Sequence, residues 1–581
     1  MNRKPLSPLA REIIESLLFV AFIVGYAAVY RDTFARLQEL SPLLPDTFSP
    51  RDLLEWPGTA LRLAGSFLTR LFAYPLVGGL LLAVILVSTR WLLLPASRLP
   101  AAARWLAYLP ALLLFLAVVR LDHVVFVPAG ENYLVAPSLG LLLALVVVVV
   151  TRHARRQRLY IALAVAVGYP LLGCYALLAV LFVGRRYAWT VAWVIAYPLL
   201  YLVLHGRLSL FDAYTAGLLL PANHGATWWN WLPIPAALVA VAAIVLPGGK
   251  SRGETKRAGL VNAAGLVASC VAVVFLANRD ASFHALLSMQ YHAARDRWDV
   301  VLERARTVTS PDRLVILYRD VALFKRQRLC DEMFTFPREG DDMPPYPGAV
   351  YIAGPDLLFH HGQLNHAYRW AVERFVQHGM TVDALRVMAR VALLNGEFPL
   401  AIKHADALAR VPFHASEADV YRQHAARPAT LLKASFLPRG LSPRENRLGE
   451  KTALLEPFLL EYHRDAPPDT REALELSVAA ALVLKVTERF HALFPLYGQN
   501  GIALPRHVRE AALLFARLEQ RDEEAIPGID AVTRQRFDRF LAALVDVQAM
   551  PAAQRSFVAL AKQFGDTYWY YYFAVKNLKT N

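Results

Sequence analysis

The residues best able to do chemistry are acids and histidines set beside long apolar runs. Asp32 follows the first run, Asp122, His123 and Glu131 lie in the short interval after the third, and His205, Asp212, Asn223 and His224 precede the seventh. An ionisable group at membrane depth is costly unless it is paired or lines a wet cavity, so each is a functional candidate by default. Converging carboxylates there would bind a divalent cation or act as a general base, which makes Asp32, Asp122, His123 and Glu131 the candidate catalytic set. Asp212 and His224, with the aromatic faces of Trp228 and Trp229, form a candidate ligand-binding set. Tryptophans at that place equally suit an interfacial belt. His360, His361 and His366 lack the i, i+4 spacing of a helical zinc site, and no metal set is expected. No Walker loop, dinucleotide fingerprint or GxSxG elbow stands out, which argues against nucleotide enzymes of the soluble type.

The runs that must position these groups cover residues 13–30, 71–89, 105–119, 133–150, 159–184, 187–204, 231–247 and 258–277. Most approach the roughly 20 residues that a helix needs to cross about 30 Å of hydrocarbon. Backbone groups in lipid must be satisfied internally, and stretches such as LLLALVVVVV do not alternate, so the runs read as helices and not as barrel strands. After residue 277 the apolar residues fall to helical spacing among frequent charges. The sequence therefore specifies an all-α chain: a polytopic transmembrane helix bundle over residues 1–277, followed by a TPR-like α-helical repeat domain over residues 278–581.

Charge follows the same division. The chain carries 62 Lys+Arg against 47 Asp+Glu, a net charge of +15, and residues 1–277 alone contribute a surplus of 12. Basic excess next to apolar runs orients a membrane bundle, so nucleic acid is not an expected partner and membrane lipid is. Three cysteines, Cys174, Cys270 and Cys330, supply neither a disulfide framework nor a CxxC site. The basic start and first apolar run resemble a signal peptide. No small-residue cleavage site follows them, and a retained first helix is expected.

The basic clusters are the N-terminus, Arg90/Arg98/Arg104, residues 152–158, Arg185–Arg186 and residues 250–257. All five fall on the cytoplasmic side if residues 159–184 enter and return, broken around Gly168, Pro170 and Gly173. That arrangement predicts a cytoplasmic N-terminus and an extracytoplasmic C-terminal domain in a bacterial inner membrane. Eight plain spans would put that domain in the cytoplasm. Residues 31–70 are too polar to cross and are expected to form amphipathic helices on the outer face or on the bundle.

In the second half, LFHHGQLNHAYRWA from Leu358 and ALLNGEFPLAIKHA from Ala392 align without gaps. Gly362 matches Gly396, Ala367 matches Ala401 and Ala371 matches Ala405, each 34 residues apart. This is the tetratricopeptide period, with Gly at a helix-hairpin turn and Ala where helices touch. A weaker match pairs residues 294–299 with 325–331, and helical patterns around residues 482–490 and 513–521 extend the array. Residues 337–347 and 444–451 read as loops. The aromatic run of residues 566–573 reads as a capping helix, or as a surface for stacking carbohydrate or meeting the membrane interface.

The segments WPGTALRLAGSFLTRLFAYPLVGG from Trp56, GYPLLGCYALL from Gly168, the Gly362 and Gly396 repeats, LPRHVREAALLF from Leu504 and TYWYYYF from Thr567 resemble an uncharacterised family of bacterial multi-pass membrane proteins with C-terminal helical repeats. That resemblance covers most of the chain and implies architecture only. Asp32 after the first span and the segment from Arg51 to Arg70 more distantly resemble GT-C glycosyltransferases, which use lipid-linked sugars. This likeness implies Asp32 as base or metal ligand, assisted by Asp122, His123 or Glu131, with a divalent cation. Three functions are thus in view. The leading one is an accessory or scaffold protein of the cell envelope, whose array binds a protein or glycan partner. The others are a GT-C-like transferase and a transporter built on the broken segment near Gly173.

Overall fold

Helix formation begins at Ser7, whose hydroxyl accepts the Ala10 amide at 3.2 Å, with Pro8 preset in the first turn. The computed structural model describes residues 7–41, 56–97, 99–126, 134–184, 188–205, 209–218, 232–245, 258–340, 348–438, 450–524, 526–550 and 557–576. The described residues are helical, with no strand among them. They divide into two compact units: the first is Met1–Arg279 with Phe375–Asp383 and Val411–Phe413, and the second is the remainder.

The first unit holds α1 (Pro8–Val29), α2 (Arg31–Leu40), α3 (Thr59–Thr69), α4 (Pro75–Ala96), α5 (Leu109–Val119, entered through a 3-10 turn at Ala101–Tyr108), α6 (Ala136–His153), α7 (Gln157–Ala166), α8 (Gly168–Leu172), α9 (Cys174–Gly184), α10 (Ala188–His205), α11 (Leu210–Thr215), α12 (Pro233–Val245) and α13 (Ala258–Leu276). Among the described residues, five helical stretches are long and apolar enough to cross a membrane: Leu9–Val29, Pro75–Ala96, Ala101–Val119, Ala136–His153 and Ala258–Leu276. At 1.5 Å per residue, the 22 residues of α1 reach about 33 Å. The other apolar helices are shorter. Residues 159–184 are not one helix but three, interrupted at Val167 and Gly173.

The bundle packs α1 on α4, α4 on α6, α6 on α9 and α5 on α12. Small residues allow this, as expected where lipid offers no hydrophobic drive between helices. A Cβ on Gly79 would lie 2.7 Å from the Ala27 Cβ across the α1–α4 contact. Outward-facing side chains are apolar instead of polar: Leu17, Leu18, Val203, Leu260 and Phe275 are all exposed. A surface of that kind on a soluble protein would be an association site.

Between α7 and α9 the backbone turns sharply. Gly173 has φ +63° and ψ −141°, and α9 packs back beside α7. Two other segments reach the same turn: Cys174 N–H donates to the Ala216 carbonyl at 2.8 Å, and Gly58 N–H donates to the Pro170 carbonyl at 2.8 Å. Tyr169 Oη adds a 2.6 Å bond to the Ala213 carbonyl. Gly58, Gly173 and Gly217 all have positive φ, so three backbones meet where side chains would keep them apart.

The second unit is a succession of helix pairs closed by one kind of turn. Residues Asp296, Gln327, Gly362, Gly396, Lys485 and Gln520 all have positive φ. In each, the N–H one residue later donates to a carbonyl five residues back: Arg297 to His292, Arg328 to Leu323, Gln363 to Leu358, Glu397 to Ala392, Val486 to Ala481 and Arg521 to Ala516, at 2.8–3.0 Å. This bond satisfies a carbonyl that the helix end leaves open. Buried Ala367, Ala371, Ala401 and Ala405 line the helix contacts near the two glycine turns. The closing aromatic helix, Tyr568–Ala574, buries Tyr568, Trp569 and Tyr571. Trp569 Nε1 donates to the Glu510 carbonyl at 2.7 Å and Tyr571 Oη to the Val483 carbonyl at 2.7 Å.

Candidate functional site

Helix α2, RDTFARLQEL, is too polar to cross a membrane, and every residue from Asp32 to Leu40 is buried. Its apolar members explain part of this: Phe34 stacks on Phe72 at 5.3 Å and meets Tyr26 edge-on at 6.5 Å. The charges require partners, because an unpaired buried ion costs several kcal/mol. Arg36 Nη1 donates to Glu39 Oε2 at 3.2 Å, and Nη2 donates to Asp383 Oδ2 at 3.1 Å. Asp383 belongs to the same compact unit and also accepts the Thr381 hydroxyl at 2.6 Å. At the end of α2 the carbonyls of Gln38 and Ser41 accept from Arg70, at 2.6 and 2.9 Å. Arg70 thus acts as a buried C-cap. Burial pushes its guanidinium down to about 10, with Glu39 pulling the other way, so it stays charged at neutral pH.

Among the sequence candidates, Asp32 lies in the first turn of α2, and its carboxylate is 3.6 Å from Arg31 Nε. Asp122 and buried His123 lie at the 3-10 turn His123–Phe126, which packs against α2. Adjacent elements therefore carry Asp32, Asp122 and His123. Asp212 is elsewhere and has local work: it accepts the Ser209 hydroxyl at 2.6 Å, while Ser209 Oγ accepts the Asp212 amide at 3.1 Å to cap α11. Glu131, His224, Trp228 and Trp229 lie outside the described residues. No group of three His, Cys, Asp or Glu side chains able to hold a metal ion occurs among the described residues. The residues that reading by sequence missed are Arg36, Glu39, Arg70 and Asp383.

The second unit holds a buried histidine pair. His361 Nδ1 and His463 Nε2 are 2.9 Å apart, so one ring donates to the other. His360, on the preceding residue, packs edge-on against Trp298 at 4.8 Å and is 3.5 Å from Asp356. Burial, helped by His463, His360 and Lys325, holds His361 well below the usual histidine range; burial also lowers His360, against the pull of Asp356. Both rings take up a proton less readily in the fold than in the unfolded chain, where they protonate near pH 6.5. Their stabilisation is present above that pH and is lost as pH falls, at no more than about 1.4 kcal/mol per pH unit for each. Glu475, pushed up to about 7 by burial, acts in the opposite sense as pH rises through its range. Thermal melts should therefore show a loss of stability from pH 6.5 to 5.5, and His361→Gln should flatten it. An unchanged acid slope in that variant would contradict the assignment.

No curated protein and no solved structure matches the chain. A family model does, described as a family of unknown function (DUF6057), and the match runs over residues 8–574. With nearly its whole length inside that match, the chain belongs to this family of unknown function.

Proposed function

We propose that this is an integral inner-membrane protein that presents a TPR-like helical array outside the cytoplasm, in an accessory or scaffold role for a protein or glycan partner. The observation that carries the reading is the recurrent positive-φ turn closing helix pairs from Asp296 to Gln520, joined to a unit with five span-length apolar helices among its described residues. Repeats stacked in this way build extended binding surfaces and have no chemistry of their own. The turn at Gly173, with α9 beside α7, supports a reading in which residues 159–184 enter and return, so that the basic residues flanking them in sequence share the cytoplasmic face.

A second reading, a GT-C-like transferase with a lipid-linked sugar donor, is favoured by the neighbouring placement of Asp32 and the Asp122–His123 turn on adjacent elements. Complementation of cells lacking the gene separates the two. Asp32→Asn keeps the side chain's shape and removes its charge beside Arg31. Asp32→Asn and Asp122→Asn should complement fully if the protein is a binder. Loss of complementation at unchanged abundance would overturn that reading in favour of the transferase.

A further inference from the structure

Residues 334–339 and side chains between 561 and 575 of the second unit line an open cleft of about 420 Å³. That is within the range of small-molecule sites, which combine apolar walls with a few fixed polar groups. Two of its charges are already committed. Arg338 Nη1 donates to Asp320 Oδ2 at 2.8 Å, and Asp566 accepts from Arg536 and Arg506 at 2.5 and 2.8 Å. Two others have no ion pair among the described residues: Glu339 and Lys562, both exposed on the lining. The aromatic wall is uneven in the same way. Tyr568, Trp569, Tyr571, Tyr572 and Phe573 all contact other rings, whereas Tyr570 is half-buried on the cavity and touches no other ring among the described residues.

We infer that this cavity is a binding site for a neutral glycan, with Tyr570 as the stacking platform and Glu339 and Lys562 as the hydroxyl-binding groups. An idle aromatic ring offers a face to the apolar side of a sugar ring. A carboxylate accepts from hydroxyls and an ammonium donates to them, so the pair serves both halves of a polyhydroxylated ligand. One free acid and one free base leave no net preference for an ion, and a phosphate or polyanion would meet Glu339 as well as Lys562. The site deepens the glycan side of the array's partner reading and rests on it only there: failure to bind sugar would leave a protein partner intact, and a cytoplasmic second unit would leave the cavity intact.

The test uses the full-length protein in detergent and saturation-transfer NMR with three probes: maltose, the β-1,4 dimer of N-acetylglucosamine, and the dipeptide Ala-Ala as a zwitterionic competitor. Saturable binding of at least one saccharide is expected. Tyr570→Ala should weaken it by about tenfold or more, while Tyr570→Phe keeps it within roughly threefold. Because the Tyr570 ring packs on no other ring, Tyr570→Ala should melt with the parent. Lys562→Gln retains hydrogen bonding and should bind the saccharide nearly as well. Three results overturn the inference: no saturable saccharide signal from the unmodified protein, saccharide binding indifferent to Tyr570→Ala, or binding of Ala-Ala alone with loss in Lys562→Gln.

Discussion

Gly173→Ala should abolish the folded state of the membrane bundle. A Cβ at this position would sit 2.1 Å from the Ala216 carbonyl oxygen and 2.7 Å from its carbon, both backbone atoms that no rotamer change can move. The backbone at φ +63° and ψ −141° is also a region that glycine alone adopts readily. Accommodation would part the segment at Ala216 from the α7–α9 turn and break the Cys174 bond to the Ala216 carbonyl. Strain and lost bonding together should exceed about 3 kcal/mol. Gly396→Ala is the control: its φ is +77°, but a Cβ there meets nothing within 4 Å, so only the left-handed conformation is penalised, by roughly 1–2 kcal/mol. Size-exclusion profiles and thermal melts in detergent measure both. Equal, mild effects would mean that the three-backbone junction does not exist.

Arg36→Met comes second in expected size. It leaves Glu39, which is fully buried, and Asp383 without the guanidinium that joins them. Removing one partner of a buried pair typically costs about 3–5 kcal/mol, and because Arg70 still acts on Glu39 and Thr381 on Asp383, the expected loss lies at the lower end. The informative comparison is Arg36→Met, Asp383→Asn and the two together. Their effects should couple by more than about 1 kcal/mol, since the second change relieves part of the charge that the first strands. Additive effects would place Asp383 outside the α2 network.

The uneven legibility of the sequence follows from what each feature depends on. Apolar runs announce themselves because lipid demands internal backbone bonding, and the break within residues 159–184 showed through its Gly and Pro. Gly362 and Gly396 marked two helix-hairpin turns, since glycine is the natural occupant of a left-handed position. Asp296, Gln327, Lys485 and Gln520 adopt the same conformation without glycine, so their turns gave only a weak match or a helical pattern. Helix α2 was the least legible. Its polar sequence reads as an amphipathic helix on the outer face or on the bundle, and what buries it is tertiary: Arg70 on its carbonyls, and Asp383, which is 347 positions away from Arg36. No local pattern carries that information. Asp32, Asp122 and His123 were singled out for their type and place, and the structure sets them on neighbouring elements. Asp212 drew notice for the same reason and holds the hydroxyl of Ser209, the residue that caps its helix.

The most direct test of the account is the side of the membrane on which the second unit lies. Leu432 is 85% exposed, while Cys174 and Cys330 are buried and Cys270 is partly covered. Leu432→Cys therefore adds one reactive thiol on a low background. With a membrane-impermeant maleimide, intact spheroplasts should label this variant as fully as lysed ones, and the parent should label weakly in both. Labelling only after lysis would put the helical unit in the cytoplasm and contradict the proposal that it is presented outside.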